Sequence, residues 1–127
     1  MTIQELVGGE VISVTPDVTI RSAASEMQEI GVGSVAVVVD KNLAGILTER
    51  DILNAVAESI DLDQASVGDF MTMLPDTFGP EMSVQDASDW MLATGYRHLP
   101  VVDENGELIG MVSIKDTLWA ITDSATA

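Results

Sequence analysis

The sequence predicts an α/β fold built from two copies of one β-α-β-β-α unit. Two observations predict it: segments recur at a nearly constant spacing, and each copy alternates helical apolar patterns with β-branched runs. Residues 16–20 match 80–84 at an offset of 64, and residues 45–51 match 110–116 at an offset of 65. A repeat of this length indicates a duplicated structural unit. A lone unit of about 60 residues is marginal, so two copies are expected to share one core.

Each copy contains signals for the start and the end of its first helix. Thr19 and Ser83 precede apolar residues at helical spacing, and both are good N-caps. Gly31 and Gly95 follow these patterns where a C-capping glycine is expected.

The remaining elements follow in the same order in both copies. Continuous apolar runs predict buried strands, each followed by a short turn, a second strand and another helix. The predicted strands are 35–39 with 43–47, and 99–102 with 108–112, and the second helices open at Thr48 and Ser113. We predict a first repeat at residues 1–60, a polar linker at 61–66 and a second repeat at 67–127.

The charge balance excludes several partners. The chain has 21 acidic and 5 basic residues, for a net charge of −16. Nucleic-acid binding requires clustered Lys and Arg, so this surface is expected to repel nucleic acids and anionic lipid. Acidic, lysine-poor surfaces are similar to those of proteins from salt-loving cells, where salt screens the self-repulsion, and a halophilic archaeal source is the corresponding expectation.

The sequence gives little indication of an enzyme or of a secreted protein. The chain has no Cys and one His, which excludes disulfides and thiolate chemistry and leaves no nucleophile–base set. We expect no enzyme and no metal site. No signal-peptide pattern opens the chain and no apolar run is long enough to cross a membrane, so we expect a soluble, cytoplasmic protein.

The duplicated residues resemble the cystathionine-β-synthase (CBS) domain family, arranged as a tandem pair. The marks are Gly-x-x-Thr/Ser-x-x-Asp after a strand in both copies, the run 97–102 (Arg-His-Leu-Pro-Val-Val), and the opening segment 67–72 (Val-Gly-Asp-Phe-Met-Thr). The resemblance implies two CBS units related by a pseudo-two-fold axis. It also implies a cleft between them that binds AMP, ADP, ATP or S-adenosylmethionine, with Mg²⁺ able to arrive with ATP.

The resemblance implies a regulatory role. A ligand sensor without an effector domain of its own would need a separate partner protein to read the bound state. CBS pairs often dimerise through helices, so a homodimer is expected, and exposed Trp90 and Trp119 would mark its face. The alternative is a structural or dimerisation scaffold with a vestigial pocket.

The first candidate site residues are the two hydroxyl–carboxylate pairs Thr48/Asp51 and Ser113/Asp116. A carboxylate can accept from both hydroxyls of a ribose, and the helix N-terminus favours an anion. The same spacing is also a capping box, and both roles can coexist.

Arg97 and His98 are the candidates for phosphate, because a guanidinium can grip phosphate with two hydrogen bonds and His can donate another. Arg97 could instead pair with a surface carboxylate. Pro100 follows in the same strand. The first copy has Gly33 and Ser34 at the equivalent positions, so we expect asymmetric sites, with Ser34 leaving room for a ligand.

The strand before each turn proline lines the adenine pocket in the family. By resemblance, this makes Val14, Thr15, Thr77 and Phe78 candidates. Core packing is the alternative role for Val14 and Phe78.

Overall fold

The computed structural model describes residues 1–7, 12–73 and 77–126. The chain divides into two compact units. The central unit comprises Val11–Pro75, and the terminal unit combines Met1–Glu10 with Asp76–Ala127. Both contain helices packed on a small sheet, as the sequence predicts.

The central unit contains the complete predicted order of elements. Strand β1 pairs in parallel with β2, and β2 pairs antiparallel with β3, so β2 lies in the middle of the sheet. The elements are β1 (Ser13–Val14), α1 (Ile20–Ile30), β2 (Ser34–Val39), β3 (Asn42–Thr48), α2 (Glu49–Ala57) and the short helix α3 (Val67–Phe70).

The terminal unit repeats this order with a reduced first strand. Phe78 forms a single parallel bridge with Val101, where the central unit has β1 beside β2. The elements are a 3₁₀ helix (Ile3–Leu6), α4 (Val84–Thr94), β4 (His98–Val102), β5 (Leu108–Ser113) and α5 (Ile114–Thr126), with β4 and β5 antiparallel.

The predicted boundaries of α1 and α4 are confirmed. The Thr19 hydroxyl accepts from the Ser22 backbone N–H, and the Ser83 hydroxyl accepts from that of Asp86. Each hydroxyl thereby satisfies a donor that the helix itself leaves without a partner. Both α1 and α4 end at a glycine with φ +84°, a conformation that side chains disfavour.

The two hairpins use different turn chemistry. Gly106 has φ +82° in the second turn, whereas the first turn places Asp40 and Lys41 at φ +50° and +71°. Both hairpins also contain a register shift, between Val37 and Val38 in one and between Val101 and Val102 in the other. The two copies therefore keep the same strand pairing despite the inserted residue.

The leading segment of each repeat packs in the unit formed by the other repeat. Ile3 is fully buried with Val84 and Leu99 in the terminal unit, and Val67 is fully buried with Val14 and Ala23 in the central unit. The leading segment of the first repeat therefore belongs to the terminal unit, and the leading segment of the second repeat belongs to the central unit.

The same backbone hydrogen bonds anchor both leading segments. The Ile3 N–H donates to the Met82 carbonyl and the Val67 N–H donates to that of Val18, both at 2.8 Å. These donors are 64 residues apart, as are the acceptors, so the duplication extends to the way each segment is held.

We expect Ile3→Ala to lower the free energy of unfolding by about 2–5 kcal/mol, because it deletes fully buried methyl groups and leaves a cavity. Urea unfolding followed by circular dichroism measures this. Ile30→Ala is the matched control, since Ile30 is 51% exposed. A loss at Ile3 no larger than that of the control would show that the leading segment does not belong to the core.

Candidate ligand-binding site

The end of β3 and the start of α2 form the first candidate site. Thr48 is both the last residue of β3 and the N-cap of α2. Its backbone N–H donates to Asp51 Oδ2 at 2.9 Å, and the Asp51 N–H donates to Thr48 Oγ1 at 3.3 Å. The capping role of this pair is confirmed. The capping box also holds the carboxylate in one place.

A third residue, Thr72, completes the hydrogen bonding of Asp51. Its hydroxyl donates to the carboxylate, lying 2.9 Å from Oδ1 and 3.1 Å from Oδ2, while Thr48 Oγ1 lies 3.1 Å from Oδ2. Thr72 was not among the site residues predicted from the sequence. The one indication in the sequence was that Thr72 belongs to the opening segment 67–72. It lies 21 positions from Asp51, and a contact over that separation is not predicted by local spacing.

Backbone pairing explains why Thr72 reaches Asp51. The Thr72 N–H donates to the Ile46 carbonyl at 2.7 Å, and the Ile46 N–H donates back at 2.9 Å. A Cβ at Gly45 would lie 2.8 Å from the Thr72 carbonyl oxygen, closer than real Cβ contacts come. At the equivalent position of the terminal unit, a Cβ at Gly110 would overlap the Val7 side chain. A glycine therefore allows the close approach in both copies.

The end of β5 and the start of α5 form the second candidate site. The Ser113 N–H donates to Asp116 Oδ2 at 2.9 Å, and the Asp116 N–H donates to Ser113 Oγ at 3.2 Å. Asp116 is exposed, whereas Asp51 is half-buried. The sequence counterpart of Thr72 is Gly8, which carries no hydroxyl and lies outside the described residues.

Arg97 and His98 are brought to the same end of the hairpin as Ser113. His98 is paired with Ser113 across the two strands, and the Arg97 carbonyl accepts from the Ile114 N–H at 2.8 Å. Arg97 is exposed and His98 is half-buried. Pro100, farther along β4, is buried.

The central unit has the same backbone arrangement without the basic pair. Ser34 is paired with Thr48, and the Glu49 N–H donates to the Gly33 carbonyl at 3.1 Å. Ser34 is buried. The equivalence of Gly33 and Ser34 with Arg97 and His98, inferred from the offset, is thus found in the backbone.

The remaining candidates divide between core and surface. Val14 lies in β1 and is buried in the hydrophobic core of the central unit, in keeping with the core-packing alternative. Phe78 is half-buried, with its ring 4.9 Å from that of Trp90, and Trp90 in turn stacks on Tyr96. Trp90 is therefore not an exposed marker of a dimer face. Thr77 is exposed.

Thr15 is also exposed, and its hydroxyl donates to the Asp17 carboxylate. That hydrogen bond, followed by a backbone hydrogen bond, lowers the pKa of Asp17 below its usual value. Thr15 is thus already engaged within its own turn.

A cleft of about 320 Å³ adjoins Asp51 in the central unit. Its lining residues are Asp51, Asn54, Ala57, Glu58, Asp69 and Phe70. Three of these side chains are acidic and none is basic. The local potential therefore opposes the entry of a phosphate group.

Neither a metal site nor a membrane-spanning helix is found in the described part of the chain. Within the described residues, no three His, Asp or Glu side chains are grouped so that they could hold a metal ion. None of the helices in residues 1–7, 12–73 and 77–126 is both long and apolar enough to cross a membrane.

Comparison with known proteins identifies related chains. The CBS domain family model matches residues 3–58 and again residues 67–123. A 17.7 kDa protein of Acidianus ambivalens is 41% identical over 98% of this chain and 75% of its own length. The CBS domain-containing protein YhcV of Bacillus subtilis is 37% identical over 91% of this chain and 81% of its own length.

A solved structure has the same fold over its full length. It is the CBS domain protein PAE2072 of Pyrobaculum aerophilum complexed with AMP, with a TM-score of 0.89 and 32% identity. The match covers 100% of both chains.

Proposed function

Because the chain belongs to the CBS domain family, we propose that it is a regulatory module that binds an adenosine-containing ligand and is not an enzyme. The observation that carries this proposal is the duplicated hydroxyl–carboxylate pair. In each unit the pair lies where a strand ends and a helix begins, with the carboxylate held by a backbone N–H. AMP is the proposed ligand, in keeping with the complex of the similar Pyrobaculum protein.

Asp116 is the stronger candidate for a ribose. The Ser113 N–H donates to Oδ2 of its carboxylate, and a carboxylate has about four lone-pair positions in all, so we propose that two adjacent hydroxyls bind at the others. Its position is set by the capping box, which reduces the side-chain entropy that a ligand would otherwise have to remove.

The phosphate is proposed to bind in the terminal unit. Arg97 precedes β4, and Lys115 lies in the first turn of α5, whose N-terminus carries a partial positive charge. His98 at the same end can donate a hydrogen bond. At the Asp51 helix start Arg50 is the counterpart of Lys115, but Gly33 and Ser34 occupy the positions of Arg97 and His98. The lining of the adjoining cleft is acidic.

The regulatory part of the proposal requires a partner. We propose that another protein distinguishes the bound from the free state and so carries the output of ligand binding. The absence of Cys supports a reducing compartment such as the cytoplasm.

The scaffold alternative is favoured by the closed hydrogen bonding of Asp51, whose carboxylate is already occupied by the protein itself. A thermal-shift assay with AMP, ADP, ATP with Mg²⁺ and S-adenosylmethionine separates the two functions. A true ligand at 100 times its Kd stabilises the folded state by about 2.7 kcal/mol. No shift with any of them would favour the scaffold.

We expect Asp116→Asn to weaken AMP binding about 10–100-fold, because it replaces a charged acceptor of hydrogen bonds with a neutral one. Isothermal titration calorimetry measures the loss. Glu104→Gln in the exposed turn makes the same change of charge and should leave the affinity within twofold. Equal effects of the two variants would assign the loss to net charge and remove Asp116 from the site.

We expect Arg97→Ala to weaken AMP binding about tenfold while adenosine binding changes less than twofold, because the guanidinium contacts only the phosphate. Competition titrations with both ligands give this ratio. Arg50→Ala, in the first turn of α2, is the matched control and should affect neither. A parallel loss of adenosine affinity would show that Arg97 supports the fold of the site instead.

We also propose that the chain forms a homodimer through helices. Leu118 is 53% exposed and Trp119 is 70% exposed on α5, which packs against α4. Trp119→Ser is expected to shift the sedimentation coefficient from that of a dimer to that of a monomer, since aromatic anchors dominate interfaces. Met73→Ser, at an exposed residue outside the helices, is the control. A wild-type monomer at 100 µM would refute the assembly.

A further inference from the structure

We propose that the Thr72 hydroxyl competes with the ligand for the Asp51 carboxylate and so makes the Asp51 helix start the weaker of the two adenosine sites. This inference rests on the proposed function and adds a specificity-determining residue to it. Thr72 acts through Asp51, so it is a positioning residue and not a ligand contact.

The hydrogen bonds at Asp51 leave little room for a second diol. Oδ2 accepts from the Thr48 N–H at 2.9 Å and also lies 3.1 Å from each of the Thr48 and Thr72 hydroxyl oxygens. Oδ1 lies 2.9 Å from Thr72 Oγ1. A carboxylate has about four lone-pair positions, and those facing Thr48 and Thr72 are taken. A ribose must therefore displace the Thr72 hydroxyl before both of its own hydroxyls can bind.

The backbone keeps Thr72 in this competing position. Its N–H and its carbonyl are both paired with Ile46, and the adjacent Met71 packs on the hydrophobic core of the central unit. The hydroxyl is therefore delivered to Asp51 by groups that a change of the Thr72 side chain does not alter. Thr72 is half-buried. A ligand that displaced its hydroxyl from Asp51 would therefore leave that hydroxyl without its charged acceptor and only partly exposed to water, which costs free energy.

The other helix start has no such competitor in sequence. Position 8, which corresponds to position 72 at the offset of 64, is a glycine. The Asp116 carboxylate has a single donor among the described residues. Within the described residues, the two sites therefore share the capping geometry and differ in whether a threonine hydroxyl also donates to the carboxylate. Adenosine is expected to fill the Asp116 site first.

The test isolates the Asp51 site with adenosine as the probe, because adenosine carries no phosphate and is insensitive to Arg97. In the full-length Asp116→Asn background, Thr72→Val keeps the β-branched shape and removes the hydroxyl. We expect it to tighten adenosine binding about fivefold, the worth of one net hydrogen bond. Thr72→Ser keeps the hydroxyl and should leave the affinity within twofold of the background.

Two further variants make the result decisive. Adding Asp51→Asn should abolish the gain produced by Thr72→Val, since the effect is transmitted through that carboxylate. Thr72→Ala replaces Thr72→Val if urea unfolding shows that the valine variant is not folded. A Thr72→Val variant that binds adenosine no more tightly than Thr72→Ser would overturn the inference.

The outcomes separate this inference from the proposed function. If the wild-type chain binds AMP or adenosine but the Thr72 variants are indistinguishable, only the competition is wrong. If neither the wild-type chain nor any Thr72 variant binds any adenosine-containing ligand, the proposed function fails and the competition fails with it. Binding that appears only when the hydroxyl is removed would support the competition in its strongest form.

Discussion

The hydrogen bonding of Asp51 depends on one close approach of backbone, between β3 at Gly45 and the segment that follows α3. The mutual hydrogen bonds of Ile46 and Thr72 hold that approach, and any side chain at position 45 would collide with the Thr72 carbonyl. Without it, Thr48 would be the one remaining donor to Asp51 among the described residues. A residue that has no side chain thus controls the environment of a carboxylate six positions later in the chain.

The same atoms serve the fold and the proposed site. A capping box satisfies backbone donors that the helix cannot satisfy, and in doing so it restrains the acidic side chain. At Asp116 this restraint uses Oδ2 and leaves Oδ1 without a donor among the described residues. In the proposed site, a ligand would therefore bind without breaking the cap. Helix stability and ligand affinity are coupled through one carboxylate, so variants at these positions need measurements of both.

Local patterns in the sequence were enough to predict the helix ends and strand order. Helix α1 begins where the Thr19 side chain accepts from the Ser22 N–H and ends where the Gly31 N–H donates to the Met27 carbonyl. Each contact spans three or four residues, a range that sequence spacing can describe. The turn at Asp40 and Lys41 was harder to predict in detail, because two residues with side chains adopt positive φ there without a glycine.

Contacts between distant segments escaped the sequence analysis. The burial of Ile3 among residues of the second repeat follows from tertiary packing, and an apolar residue near the start of a chain has no signal that identifies its partners. Thr72 was missed for the same reason. It was visible as part of a family motif, but its hydrogen bond to Asp51 depends on the pairing with Ile46. The hydroxyl–carboxylate pairs were predictable because each is only three residues apart.

The net charge of −16 gives the single Arg97 an importance that it would lack on a neutral protein. A phosphate approaching this surface meets long-range repulsion, which salt screens over about 10 Å at 0.1 M and about 3 Å at 1 M. A bidentate contact with a guanidinium acts over hydrogen-bond distance and is screened less when the pair is partly buried. If the proposed phosphate site is correct, moderate salt should therefore weaken the repulsion by the acidic surface more than the short-range contact with Arg97.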